Sequence, residues 1–86
     1  MVADAYCQRG NALLRAGMAE DALASFDAAI AGNPQNFQAF NNRGNALRVL
    51  NRIEDAVASY DGAIALKPDP PLVHHNRANA LQELGR

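Results

Sequence analysis

The chain has 86 residues, 49% of them hydrophobic and 20% charged, with eight Lys and Arg against nine Asp and Glu for a formal net charge of -1. That is the composition of one small soluble globular domain, and a near-neutral chain with no basic stripe lacks the electrostatic footprint of a nucleic-acid binder. The single cysteine, Cys7, excludes an intrachain disulfide, and no apolar run approaches the roughly 18 residues of a membrane span, so a cytoplasmic location is expected.

In chain order, residues 3–16 are predicted as the first helix. Tyr6, Gly10 and Leu13 fall on one face at spacings of four and three, and Gly17 provides a left-handed stop. Residues 19–31 form the predicted second helix. Glu20 and Asp21 complement the positive end of its dipole, and Ala22, Leu23, Phe26, Ala29 and Ile30 make its apolar stripe. Gly32, Asn33 and Pro34 break it. A third helix over 37–50, a turn at Asn51 and Arg52, and a fourth helix over 53–66 repeat the arrangement, with Glu54 and Asp55 at the start of the fourth helix and Pro68 after its end. A fifth helix is expected from Pro71 or Leu72 to Leu84, since proline is tolerated in a first helical turn.

The chain is a repeat. QRGNAL at residues 8–13, NRGNAL at 42–47 and NRANAL at 76–81 recur 34 positions apart, and roughly half the positions of 3–36 are identical in 37–70. The expected organisation is one domain over 1–86, made of repeat 1 (3–36), repeat 2 (37–70) and a partial repeat 3 (71–86). A fixed period of this size marks units that bury their apolar faces only by stacking on one another. Glycine in mid-helix costs about 1 kcal/mol relative to alanine, so its recurrence at Gly10 and Gly44 calls for a packing reason. The expected reason is close approach of the neighbouring helix backbone, allowed from the other side by Ala22, Ala29, Ala56 and Ala63.

These residues resemble the tetratricopeptide repeat: Tyr6, Gly10, Leu13, Ala22, Phe26, Ala29 and Pro34 in the first unit, and Phe40, Gly44, Leu47, Ala56, Tyr60, Ala63 and Pro68 in the second. His74, Ala78 and Leu81 begin a third. Where the family usually carries a leucine just before the glycine, this chain has Arg9, Arg43 and Arg77. The resemblance implies an all-α fold of helix-turn-helix hairpins stacked as a right-handed superhelix, an α-solenoid with two full repeats plus one extra helix. It also implies that the first helices of the repeats line a concave groove.

On the third helix, Gln38, Asn41, Asn42, Asn45 and Arg48 lie roughly opposite Phe40, Gly44 and Leu47. With Gln8, Asn11, His75, Asn76 and Asn79 they form the expected peptide-binding groove. Asn11, Asn45 and Asn79 recur at one site, and Gln8, Asn42 and Asn76 at another. A ladder of amides can bond the backbone of an extended peptide with little regard to its sequence, and the alternative is that these side chains are solvated or bonded locally. Some tetratricopeptide proteins clamp a peptide's terminal carboxylate with two asparagines and several cations. Asn11 and Asn42 match the amides, but Cys7, Leu72 and Asn76 stand where basic residues would be expected, which disfavours that ligand. The ladder is more similar to the repeat regions of bacterial-type glycosyltransferases that modify serine and threonine of proteins.

The expected function is therefore a non-catalytic module for protein or peptide partners, without nucleic acid, membrane, metal or cofactor. The alternative is a self-assembling scaffold, a homo-oligomer formed through Val73, Leu81 and Leu84, which no following helix would cover. His74 and His75 are adjacent, unlike the i, i+4 pair that binds zinc; His74 is expected to replace the packed aromatic. Cys7 has no base near it in the repeat, and no set of nucleophile, base and orienting group indicates an enzyme. Arg9, Arg43 and Arg77 are expected to lay their stems on the buried face and pair with Asp27 or Asp61.

Overall fold

Five helices follow one another: α1 (Val2–Arg15), α2 (Ala19–Gly32), α3 (Phe37–Val49), α4 (Ile53–Leu66) and α5 (Pro71–Leu84). The computed structural model describes residues 2–85, with side chains from residue 5 onward. The sequence-based boundaries agree to within a residue or so. The two hairpin turns are the same device with different residues. In the first, Gly17 takes φ +82° and the Met18 N–H donates to the Leu13 carbonyl at 2.9 Å. In the second, Asn51 takes φ 62° and the Arg52 N–H donates to the Leu47 carbonyl at 2.8 Å. This six-to-one bond around a left-handed residue closes the helix end, and asparagine is the non-glycine residue that best tolerates it. Asn36 then opens α3 as its N-cap, its side chain accepting from the Ala39 N–H at 3.2 Å.

Each glycine notch is filled by a ring, not by backbone. A Cβ on Gly10 would stand 2.6 Å from Cε1 of Phe26, and one on Gly44 would stand 2.5 Å from Cε1 of Tyr60. The expected backbone approach is thus corrected: the small residue makes room for the aromatic knob of its own hairpin. Phe26 and Tyr60 are fully buried among Ala22, Ala29, Ala56 and Ala63. Burying such a side chain contributes on the order of 1.5 to 3 kcal/mol. Two cores result, one in each hairpin, and Leu23 packs against both.

Each helix packs on its neighbour in sequence, and the first helices also touch, α1 on α3 and α3 on α5, whereas α2 and α4 do not meet. Contact on one side only bends the stack so that α1, α3 and α5 lie on its inner surface, giving a body of 38 × 28 × 17 Å. Arginine staples hold the bend. Arg43 pairs with Asp27 at 2.5 Å and Arg77 with Asp61 at 2.5 Å, each reaching back to the preceding hairpin. Arg43 also donates to the Ser59 hydroxyl at 2.5 Å, so it joins α2, α3 and α4. Asp61 is therefore the partner of Arg77 and not of Arg43.

Two expectations about α5 are corrected. Val73 is buried, because α4 behind it covers it, leaving Leu81 and Leu84 as the exposed apolar residues of this helix's outer face. His74 is exposed and its Nε2 donates to the Pro68 carbonyl at 2.7 Å. Its equivalent Phe40 packs on Gly62 of the following helix, and no second helix follows α5 to offer His74 such a seat. Among the described residues no helix is long and apolar enough to cross a membrane.

Candidate peptide-binding groove

Because α1, α3 and α5 form the inner surface, the residues of these helices that face away from the second helices meet along one groove. Its main cleft, about 410 Å³, is bounded by Cys7 and Asn11 of α1, by Phe37, Gln38, Asn41 and Asn42 of α3, and by Pro70, Leu72 and Val73 at the start of α5. A smaller depression of about 250 Å³ continues past Gln8 and Asn36. At the other end, Asn45, Arg48, Val49 and Glu83 line a third, of about 370 Å³. No charged side chain lines the main cleft. Its walls are amides and its apolar surface comes from Phe37, Pro70, Leu72 and Val73.

The ten residues assigned to the groove divide into two sets. Four are already bonded within the fold. Asn41 is buried, and its Oδ1 accepts from Asn76 Nδ2 at 3.1 Å, tying α3 to α5. Asn45 Oδ1 accepts from the Tyr60 hydroxyl at 2.5 Å. Arg48 Nε donates to Glu83 Oε1 at 2.9 Å. The expectation that Asn45 points where packing does not reach is therefore corrected, since Tyr60 threads between the helices to meet it. The remaining six, Gln8, Asn11, Gln38, Asn42, His75 and Asn79, have no side-chain hydrogen bond to other described residues. The contrast within the repeat has a simple cause: Asn11 occupies the position of Asn45, but its hairpin carries Phe26, which has no hydroxyl to donate.

Electrostatics separate the two ends. Burial pushes the Tyr60 phenol above its ordinary value, opposed by the nearby Arg48, while the hydrogen bond to Glu83 is the main cause that raises Arg48. The end near Arg48 is thus a closed polar network, and the main cleft is neutral and open. Four of the cleft's residues, Phe37, Pro70, Leu72 and Val73, are absent from the expected groove. The signal for Leu72 was present, because it stands in a position where a carboxylate clamp would place a cation. Among the described residues no three or more His, Cys, Asp or Glu gather to hold a metal ion.

The sequence profile of the tetratricopeptide repeat matches residues 7–71. The chain belongs to the tetratricopeptide repeat family. No curated protein matches it significantly in sequence, but many solved structures share the fold. It is similar to the second tetratricopeptide domain of Spaghetti (RPAP3) bound to the HSP90 peptide SRMEEVD, at 26% identity and a TM-score of 0.95, over 99% of this chain and 79% of that one. The first such domain of the same protein, bound to the same peptide, superposes with a TM-score of 0.95 at 22% identity, over 99% and 69% of the two chains. The Arabidopsis OM64 tetratricopeptide domain gives 0.91 at 25% identity, over 94% and 67%. The tetratricopeptide architecture is therefore an all-α solenoid here as in those proteins.

Proposed function

We propose that this tetratricopeptide chain is a non-catalytic protein-interaction module that holds an uncharged, extended peptide segment in the main cleft. The observation that carries this reading is the pairing of unbonded amides, Asn11 and Asn42, with an apolar wall at Leu72 and Phe37 in a cleft with no charged lining residue. The amides are suited to bond a peptide backbone, and the apolar wall to cover one aliphatic side chain of it. Two similar tetratricopeptide domains carry a peptide with two Glu and a final Asp. Such a ligand suits this chain poorly, because Cys7, Leu72 and Asn76 offer an incoming carboxylate no charge-assisted bond. The likeness to repeats of glycosyltransferases that modify Ser and Thr belongs to the same reading, with a protein partner's extended segment in the cleft.

Selection from a library of unstructured peptides, followed by affinity measurement on the intact chain, tests this. Replacing both Asn11 and Asn42 by Ala is expected to weaken the selected peptides about tenfold, given roughly 0.5 to 1.5 kcal/mol per bond, and Leu72→Asp is expected to weaken them further. Unchanged affinity in both variants would reject the cleft as the binding site.

A second reading, assembly through the outer face of α5, is favoured by the exposure of Leu81 and Leu84. Sedimentation over a concentration series separates the two, since self-association that Leu81→Lys and Leu84→Lys abolish is expected only from assembly.

A further inference from the structure

A depression of about 400 Å³ lies at the end of the stack opposite α5, between α1 and α2, away from the groove. Tyr6, Arg9, Leu13, Met18, Asp21 and Ser25 line most of it. What it is shaped to hold can be read from the other hairpin. Shifted by 34 positions, Arg9, Leu13 and Ser25 become Arg43, Leu47 and Ser59. That second seat is occupied: Asp27 of α2 meets Arg43, Arg43 in turn donates to Ser59, and Leu23, one turn before Asp27, packs against the core containing Leu47. Residues four apart share a helix face, so α2 offers α3 and α4 an aliphatic residue followed by a carboxylate.

The first seat has the same chemistry with nothing in it. Tyr6 is 38% exposed and Leu13 only half-buried, whereas Leu47 is fully buried. Arg9 meets no carboxylate among the described side chains, although Arg43 and Arg77 each have one. At the rim, Met18 and Asp21 replace the Arg52 and Asp55 pair of the second hairpin.

We propose that this end face is a docking seat for an amphipathic helix of a partner protein, one presenting a carboxylate to Arg9 a turn after an aliphatic residue that covers Leu13 and Tyr6. This is the interface of α2 with α3 and α4, offered to another molecule. It is separate from the peptide cleft and takes a helix where the cleft takes an extended segment.

The probe is a stapled, fluorescent peptide with the sequence of residues 19–32, titrated against the whole chain by anisotropy. Saturable binding is expected, weakened about tenfold or more by Arg9→Glu and by Ala24→Glu, an exposed position on the seat. A peptide carrying Asp27→Lys is expected to bind the Arg9→Glu chain better than the wild type. Helical content and melting of each variant, read by circular dichroism, establish that it is folded, and the exchanged charge pair distinguishes the seat from a merely destabilised chain. Affinity indifferent to Arg9→Glu, or no saturable binding, overturns the proposal. So does a wild-type chain that ignores the peptide but self-associates through Arg9, which would assign the seat to a second copy.

Discussion

The two hairpins share about half their residues and the same turns, yet they differ in enclosure. Around α3 and α4 there are neighbours on both sides: Leu47 is fully buried, Phe40 lies against Gly62, and Arg43 is held by Asp27 and Ser59. Around α1 and α2 one side is open, so Leu13 is half-buried and Tyr6 exposed. The repeat residues specify the hairpin, and burial comes from stacking. This is the behaviour of a quasi-one-dimensional fold, in which each unit's stability adds a term for its neighbours.

The largest effects should come from filling the glycine notches. Gly44→Leu places its Cβ 2.5 Å from the Tyr60 ring, which is enclosed on all sides, and is expected to separate α3 from α4 with a loss of about 3 kcal/mol or more. Gly10→Leu meets Phe26 in the same way, but at the open end, so it should cost measurably less. Urea unfolding of both variants decides. Equal losses would mean that enclosure does not set the difference between the hairpins.

Smaller, and more informative for the groove, is Tyr60→Phe, which makes the second hairpin resemble the first. Removing the hydroxyl leaves Asn45 without its donor, with an expected loss of about 0.5 to 1.5 kcal/mol. The same variant checks the pH dependence. Because burial raises the Tyr60 pKa in the folded state, its contribution is complete below the unfolded value of 10.0 and is lost as pH rises from there through the folded value. Alkaline unfolding should therefore be less steep in Tyr60→Phe than in the wild type, read from melting between pH 9 and about 11.

The smallest effect belongs to the staples, half-exposed pairs each worth about 0 to 1 kcal/mol. Asp27→Ala should change the environment of Arg43 and Asp61→Ala that of Arg77, and a double-mutant cycle should find coupling between Asp27 and Arg43 and none between Asp61 and Arg43. Coupling in the opposite pattern would break the assigned register of the stack.

Most of the fold was legible because its signals are local and periodic. The 34-residue recurrence, the acidic first turns and the proline and glycine stops place every helix end within a residue or so. What was not legible depended on reach. Helical phase puts Asn45 away from Gly44, yet it does not reveal that the long Tyr60 side chain crosses from α4 to bond it. Likewise, the lack of a helix after α5 suggested an exposed Val73, but α4 on its other side buries it. The glycines were correctly read as notches, while the occupant, a ring instead of a backbone, follows from side-chain length that spacing does not encode. In the candidate groove, Asn11 and Asn42 stayed unbonded for a reason visible afterwards in one residue pair, Phe26 against Tyr60.

The central claim is that the unbonded amides of the inner surface receive a peptide. Its most direct test is nuclear magnetic resonance of the isotope-labelled chain titrated with a library-selected peptide, following the side-chain amides. The account predicts that the Asn11 and Asn42 amide resonances and the Leu72 methyls shift together and saturate, while Asn45, already held by Tyr60, shifts less. Shifts confined to Leu81 and Leu84, or to the outer faces of α2 and α4, would contradict it.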